Sequence, residues 1–215
     1  SVMDSRGKKR NKPVQTNCIF GKLYTVDSRR IEMANFGLSK PWIAKYSAGA
    51  YTDAFQCGKA INTTVTPNTV SAALFADNQQ VEDVNEFSNA TVVLGVNTMP
   101  AKAPEVLFGH KAGTTEGEEV SNTGDSGSYV GYGFVVASMD AGVKKYQACF
   151  LHKVKFAEGE ESYQTKGDQI TFVTPSLSGT AYGDENGDWR TKSPLFATEA
   201  EADKWVQKKL GVAEA

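Results

Sequence analysis

The sequence is poor in the side chains that most often build catalytic and metal sites. Its 215 residues include two histidines, and the three cysteines, Cys18, Cys57 and Cys149, lie too far apart for the usual metal-ligand spacing. Cysteines that are few and odd in number are typical of ordinary thiols in a reducing compartment. No stretch is long and apolar enough to span a membrane as a helix. The sequence therefore gives no support to a disulfide scaffold, a metal centre or a helical membrane protein.

The formal net charge of −2 conceals an uneven distribution. Residues 1–32 contain eight Lys or Arg and three acidic residues, so this part of the chain is basic. Subtracting these from the totals of 23 and 25 leaves 15 basic and 22 acidic residues for positions 33–215. The length fits one domain with an extension, and the domain itself is acidic.

The phrase that begins at Met33 has the character of a natural N-terminus, and Arg29-Arg30 stands shortly before it. If both arginine codons were AGG, they would spell a bacterial ribosome-binding site at a normal distance from a start codon. We therefore hypothesise that residues 1–32 translate a leader; a genuine basic arm is the alternative, and the intact mass of the protein expressed from its native gene would distinguish them. The predicted organisation is a flexible basic extension over 1–32 and a single domain over 33–215.

Alternating apolar residues predict a mainly antiparallel sheet. Val130, Tyr132 and Phe134 alternate with Gly131 and Gly133, which indicate a close backbone approach or a kink. The run 143–156 predicts a second strand, with Tyr146, Ala148, Phe150, His152, Val154 and Phe156 on one face. Asp140-Ala141-Gly142 between the two runs predicts a hairpin. Further strands are predicted at 81–87, 90–97, 169–174 and 177–183, with another at 64–74 interrupted by Pro67.

Two helices are predicted beside this sheet. Residues 104–108 form a short one that ends at Gly109. Thr198 and Glu201 form a capping-box pattern, and Gly211 marks the end of that second helix. An apolar stripe runs along it: Ala202, Trp205, Val206 and Leu210. The predicted fold class is mainly β (α+β), an antiparallel sandwich or barrel with helical covers.

Three local motifs invite a chemical interpretation. Gly124-Asp125-Ser126-Gly127 copies the nucleophile turn of serine proteases, but no histidine and carboxylate stand in the protease arrangement. His152 is interpreted as a hydrogen-bonded core or interface residue. The acidic stretch 184–188 contains Asn186-Gly187 and is interpreted as a turn, because its spacing departs from the EF-hand. We therefore predict no catalytic, cofactor-binding or metal-binding residues and no enzyme activity.

Residues 111–128 form a long polar stretch whose only large apolar residue is Val120. Eighteen residues without a structural pattern exceed the usual length of a connection within a compact domain. One interpretation is a disordered surface insertion. The other is an arm that becomes ordered only against a neighbouring subunit.

Four phrases in the second half of the chain carry a family resemblance. They are YVGYGF at 129–134, LHKVKF at 151–156, YQTKGD at 163–168 and TPSLSG at 174–179, followed by the acidic turn, Trp189 and the terminal helix. This series resembles the major tail proteins of long-tailed, non-contractile bacteriophages (siphophages). The resemblance is strongest over 129–210 and weaker over 33–109.

The resemblance implies a β-sandwich of the tail-tube type and a structural role in the virion. Subunits made in the host cytoplasm would form rings, expected to be hexameric, that stack into the tail tube through which DNA is ejected. The implied partners are other copies of the chain, the tape measure protein, the tail terminator and the baseplate proteins, with transient passage of DNA and no membrane. Exposed strand edges are expected to pair between subunits within a ring.

Two sets of candidate contact residues follow. A long loop at the comparable place bridges successive rings in this family, which implies inter-ring contacts at Glu116, Glu118, Glu119, Val120 and Asp125. An acidic channel wall would repel DNA phosphates and prevent sticking, because each cationic contact adds affinity. The acidic residues predicted to face the channel are Glu82, Asp83 and Glu86.

Two alternatives stay open. A tube subunit of a related injection machine shares the same physics, and gene context would separate it. A monomeric carbohydrate-binding or immunoglobulin-like module of a phage structural protein differs in class. It would show an exposed aromatic platform and no self-assembly.

Overall fold

The computed structural model describes residues 16–19, 22–25, 34–76, 79–115, 117–140, 142–159 and 174–212. The chain divides into two compact units, residues 1–33 and 34–215. In the first unit, β1 (Thr16–Ile19) pairs antiparallel with β2 (Lys22–Thr25). Met33, the phrase at 163–168 and the predicted strand at 169–174, apart from Thr174, lie outside the described residues.

The second unit is built on one eight-stranded antiparallel sheet, which confirms the mainly β prediction. Its strands are β3 (Ala34–Ser47), β4 (Ala50–Gln56), β5 (Ala60–Ala76), β6 (Gln79–Val96), β9 (Val130–Asp140), β10 (Val143–Ala157), β11 (Ser176–Tyr182) and β12 (Arg190–Phe196). The order across the sheet is β4-β3-β9-β10-β11-β6-β5, and β12 also pairs with β10. A separate two-stranded ladder joins β7 (Lys111–Ala112) to β8 (Glu119–Val120).

The predicted β9–β10 hairpin is confirmed, with Gly142 in a left-handed conformation (φ 83°) at its turn. The prediction that one face of β10 runs unbroken from Tyr146 to Phe156 is wrong. A β-bulge between Leu151 and Val154 adds one residue to β10, so the alternation inverts after it. Phe150 therefore faces one core, whereas Val154 and Phe156 face the other.

The two cores lie on opposite faces of the sheet. In one, Ala202, Val206 and Leu210 of helix α2 (Glu199–Lys209 with its C-cap) pack on Val135 and Phe150. In the other, apolar residues of β3, β9 and β10 meet those of β6, β11 and helix α1 (Lys102–Phe108). Tyr132 in β9 also donates a hydrogen bond to Thr63 in β5, at 3.1 Å. The sheet therefore curves until its edge strand β5 faces the central strand β9.

Both predicted helices are present, but α1 begins at Lys102, two residues before the predicted start. Thr198 accepts a hydrogen bond from the Glu201 N–H, and the Glu201 carboxylate accepts one from the Thr198 N–H, which is the predicted capping box. Trp205 is half-buried against the α2 core. Neither α1 nor α2, the helices of the described residues, is long and apolar enough to cross a membrane.

Side chains of helix α2 and strand β4 pack closely against the backbone of β9 at two of its glycines. A Cβ atom at Gly133 would lie 2.4 Å from Cγ1 of Val206, and one at Gly131 would lie 2.5 Å from the ring of Tyr51. The interpretation as a close approach is therefore confirmed.

Candidate functional site

The feature that most distinguishes this chain is a long two-stranded ribbon. Strands β5 and β6 pair from Ala60 to Ala76 with three register shifts, so the predicted strands at 81–87 and 90–97 are one strand and Pro67 does not interrupt 64–74. Within the described residues β5 pairs only with β6, so Pro67 lies on an edge strand, where the missing N–H of proline is tolerated.

Beyond Ala90 the ribbon has no third strand within the described residues. Strand β11 pairs with β6 only from Ala90 to Gly95, and β5 pairs only with β6. We call residues 67–76 and 79–89 the arm. Ten residues of extended strand span roughly 30 Å. Residues 66–71 are all exposed, and Val70 has 61% of its surface accessible.

The three predicted channel-facing acids lie on this arm. In the ladder Glu82 stands opposite Leu74, Asp83 opposite Ala73 and Glu86 opposite Val70. Glu86 is exposed. The structure thus brings all three onto one strand of the ribbon, although sequence patterns gave no sign that the ribbon extends beyond the sheet.

The long loop is folded back on itself rather than lacking regular structure. The β7–β8 ladder closes it, and Asp125 accepts a hydrogen bond from the Asn122 N–H at 2.7 Å. Glu118 accepts one from the Thr115 N–H at 3.0 Å, which lowers the pKa of Glu118. Glu116 lies outside the described residues, and Val120 exposes 45% of its surface.

A buried histidine links this loop to the end of strand β10. The imidazole of His110, 5% exposed, bonds to Glu119 through Nδ1, and its Nε2 lies 3.7 Å from Glu158 at the end of β10. The bond to Glu119 raises the pKa of His110 against the opposing effect of burial, and the charges of Glu158 and Asp125 add to the increase. Three of the predicted contact acids, Glu118, Glu119 and Asp125, therefore stabilise the loop itself.

The protease-like phrase does not sit beside a histidine. Ser126 Oγ lies 3.5 Å from Lys155 Nζ, while His110 contacts Glu119 and Ser121 instead. At Gly127 an added Cβ would lie 1.8 Å from the carbonyl oxygen of Leu107. This glycine is required because the loop runs directly over α1.

His152 is the centre of a polar network that joins three elements. Its Nδ1 lies 3.0 Å from Asp184 Oδ2 and its Nε2 lies 2.7 Å from Thr191 Oγ1. The sequence predicted a hydrogen-bonded histidine, but only the fold shows its partners. Hydroxyl, imidazole and carboxylate stand in the order of a hydrolase relay. Since Thr191 lies inside the β10–β12 ladder, opposite Phe150, we interpret the network as a cross-link.

The predicted turn at 184–188 is confirmed. Asp184 Oδ1 accepts hydrogen bonds from the N–H groups of Asn186 and Asp188, both at 2.9 Å. Burial would raise the pKa of Asp184, but these two bonds and His152 together lower it. Tyr46 donates a hydrogen bond to Glu185, and burial together with that bond raises the pKa of Tyr46 to about 12.

Two half-buried lysines and two exposed tyrosines form a group near the start of β9. Lys153 Nζ lies 4.9 Å and Lys155 Nζ lies 5.6 Å from the ring centroid of Tyr129. The rings of Tyr129 and Tyr182 are 39% and 38% exposed and stand 6.2 Å apart. Their planes cross at 83°, so together they do not form a flat platform.

In the part of the chain that the structure describes, no group of three or more His, Cys, Asp or Glu side chains could hold a metal ion. A scan against models of known protein families finds no match, and a search of curated proteins finds none either. Any proposal about function therefore depends on the geometry of the arm, the loop and the strand edges that are unpaired within the described residues.

Proposed function

We propose that this chain is a structural subunit that assembles with copies of itself into a tube, the tail tube of a siphophage. The observation that carries the proposal is the arm. It extends roughly 30 Å as a two-stranded ribbon, and within the described residues neither of its outer edges is paired beyond Ala90.

The physical reason is that a two-stranded ribbon with unpaired edges is only weakly stable by itself. A two-stranded hairpin is marginally stable in water, and three or more strands or a packed face are needed for independent stability. Unpaired strand edges are also templates for pairing with another chain. Val70 on the arm and Ile61 at its base are exposed by 61% and 52%. Another copy supplies both the missing strand and the apolar cover.

The remaining parts of the proposal depend on the resemblance to siphophage tail proteins. Six copies form a ring, rings stack around the tape measure protein, and the terminator and baseplate proteins close the two ends. The curved sheet with one helix on its outer face fits a sandwich of the tail-tube type. The acidic domain fits a channel that conducts DNA without holding it.

The loop keeps its proposed place between rings, but with a narrower contact. Because Glu118, Glu119 and Asp125 bond within the loop or to His110, the exposed side chain of Val120 is the best candidate for the contact. Replacing Val120 with Ser should yield shorter tubes from otherwise intact rings. Tube lengths on electron micrographs measure this directly.

Negative-stain electron microscopy and sedimentation of the concentrated full chain test the proposal. The wild type should form rings or hollow tubes. A variant in which residues 72–84 are replaced by Asn-Gly keeps the Ser71–Asn85 pair and the stacking of Phe87 on Trp189, and it should stay monomeric. A folded wild type that stays dispersed under every condition, including added tail-initiator proteins, would contradict self-assembly.

A matched pair of point variants separates the arm from general surface effects. Val70→Ser and Val143→Ser each remove an exposed valine from a strand, at 61% and 55% exposure. Only the first lies on the arm, so only the first should reduce the sedimenting fraction. Equal effects of the two variants would show that the arm has no special part in assembly.

The rival of a different class is a monomeric binding module. It requires an exposed aromatic platform, and the best candidate among the described residues, Tyr129 with Tyr182, has nearly perpendicular rings. We therefore favour assembly.

A further inference from the structure

A cleft of about 520 Å³ opens beside the base of the arm. It lies between β3, β5, β9, β10 and β12, and its floor is apolar, formed by Leu38, Val65, Phe134 and Val136. Phe36 and Ile61, at the rim, expose 53% and 52% of their surface. The volume falls in the range of ligand-binding pockets.

Two cations stand at this cleft. Arg190 and Lys192 both line it and both are exposed. Arg190 lies over the ring of Trp189, at 4.3 Å from its centroid. Among the described residues, no carboxylate lies within 4.0 Å of either cation. The cleft therefore combines an apolar floor with positive charge that the described part of its own chain does not neutralise.

Two strand edges flank the same cleft. Within the residues that the structure describes, β5 pairs only with β6, and β12 pairs only with β10. An extended segment entering the cleft can add its backbone hydrogen bonds to one of these edges while its side chains reach the floor. The cleft is thus suited to a strand that is both acidic and apolar.

The chain itself contains such a strand. Residues 60–101 include no Lys or Arg, and the outer part of the arm carries Glu82 and Asp83 between two apolar residues, Val81 and Val84. In the ladder, Asp83 stands twelve residues beyond Ile61 along the ribbon, opposite Ala73. That separation is about 40 Å, so the outer arm of one copy cannot enter its own cleft without folding the ribbon back.

We propose that the Arg190–Lys192 cleft receives the outer arm of a second copy, whose acidic strand around Glu82 and Asp83 lies against the two cations. The proposal rests on the self-assembly proposed above and specifies its contact. It gives Glu82 and Asp83 a place between subunits instead of on the channel wall, and it leaves Glu86 as the channel-facing candidate.

A charge exchange tests the pairing. Arg190→Glu with Lys192→Glu makes the cleft acidic, and Glu82→Lys with Asp83→Lys makes the arm basic. Each pair of substitutions alone should reduce the sedimenting fraction by about tenfold or more, because like charges then meet. All four together should restore assembly. The matched control is Lys204→Glu with Lys208→Glu, which reverses two exposed charges on α2 and should leave assembly unchanged.

The outcomes separate this inference from the function on which it rests. Tubes from the wild type and equally from the cleft variant would overturn the docking site and leave self-assembly standing. A four-substitution variant that folds, as judged by circular dichroism, but does not assemble would also overturn it. A wild type that never assembles would remove both proposals.

Cross-linking gives a second readout that does not depend on charge reversal. In a variant with Ile61→Cys and Asp83→Cys, the two thiols of one chain are too far apart for a disulfide, which needs Cα atoms within about 7 Å. Oxidation after assembly should therefore produce a ladder of covalent oligomers. Covalent oligomers should be absent from either single variant, and their absence from the double variant would refute the docking.

Discussion

The packing of helix α2 on Gly133 yields the sharpest quantitative prediction about this fold. Val206 is fully buried, and its Cγ1 occupies the space where a Cβ atom of residue 133 would stand, at 2.4 Å. Gly133→Ala should therefore overpack the interface and lower the free energy of unfolding by about 1–3 kcal/mol. Val206→Ala removes two buried carbons, about 0.8 kcal/mol each, and leaves a small cavity, so it should cost about 2–3 kcal/mol.

The two substitutions should not add. In the double variant the new methyl group at residue 133 enters the space that Val206 has vacated, so the double variant should be about as stable as Val206→Ala alone. The expected coupling therefore equals the cost of Gly133→Ala, about 1–3 kcal/mol, in the range seen for residues in contact. Urea denaturation of the dilute monomer, followed by circular dichroism, measures each free energy.

A matched cycle uses Leu210, which is also buried on α2 but is not among the atoms nearest to Gly133. Gly133→Ala and Leu210→Ala should add within about 0.5 kcal/mol. If Gly133→Ala costs nothing, or if its effect adds to that of Val206→Ala, the close approach is not what requires glycine at this position.

Three further predictions concern titratable groups. The pKa of Asp184 is lowered, so its ionised form adds stability above about pH 4. This stability is lost as the pH falls through the folded-state pKa. The difference in urea midpoint between wild type and Asp184→Asn should therefore shrink below about pH 4. The pKa of His110 is raised, so its protonated form adds stability at low pH, and this stability is lost as the pH rises. The difference in urea midpoint between wild type and His110→Gln should therefore be largest at about pH 6 and shrink towards about pH 9. A constant difference would contradict the ion pair with Glu119. Burial raises the pKa of Cys57 to about 11, so this thiol should react with a disulfide reagent at pH 8 only after unfolding, which absorbance of the released thiol measures.

The parts of the fold that sequence reasoning predicted correctly depend on local chemistry. The capping box at Thr198 and Glu201 fixes the start of α2, and the Asp140–Gly142 turn fixes the β9–β10 hairpin. Each is decided by hydrogen bonds and backbone angles within a few residues. The turn at Asp184 belongs to the same class.

The parts that sequence reasoning missed depend on contacts between distant residues. The bulge in β10 occurs where the neighbour of this strand changes from β12 to β11. The residues around Leu151 and Val154 therefore give no local signal that the side chains change from one face of the sheet to the other. The partners of His152 come from positions 32 and 39 residues further along the chain. Alternation alone could not show either feature.

The same distinction between local and long-range information applies to the candidate contact surfaces. The sequence by itself determined which residues are acidic, that 60–101 carries no cation, and that the loop at 111–128 is polar, because composition needs no coordinates. Only the tertiary structure decided that Glu118 and Asp125 bond within the loop, that β5 and β6 run on as a single ribbon, and that Arg190 and Lys192 meet an apolar cleft. The physical reason is that strand pairing and register, which join residues far apart in the chain, determine which charges are neutralised and which edges stay open.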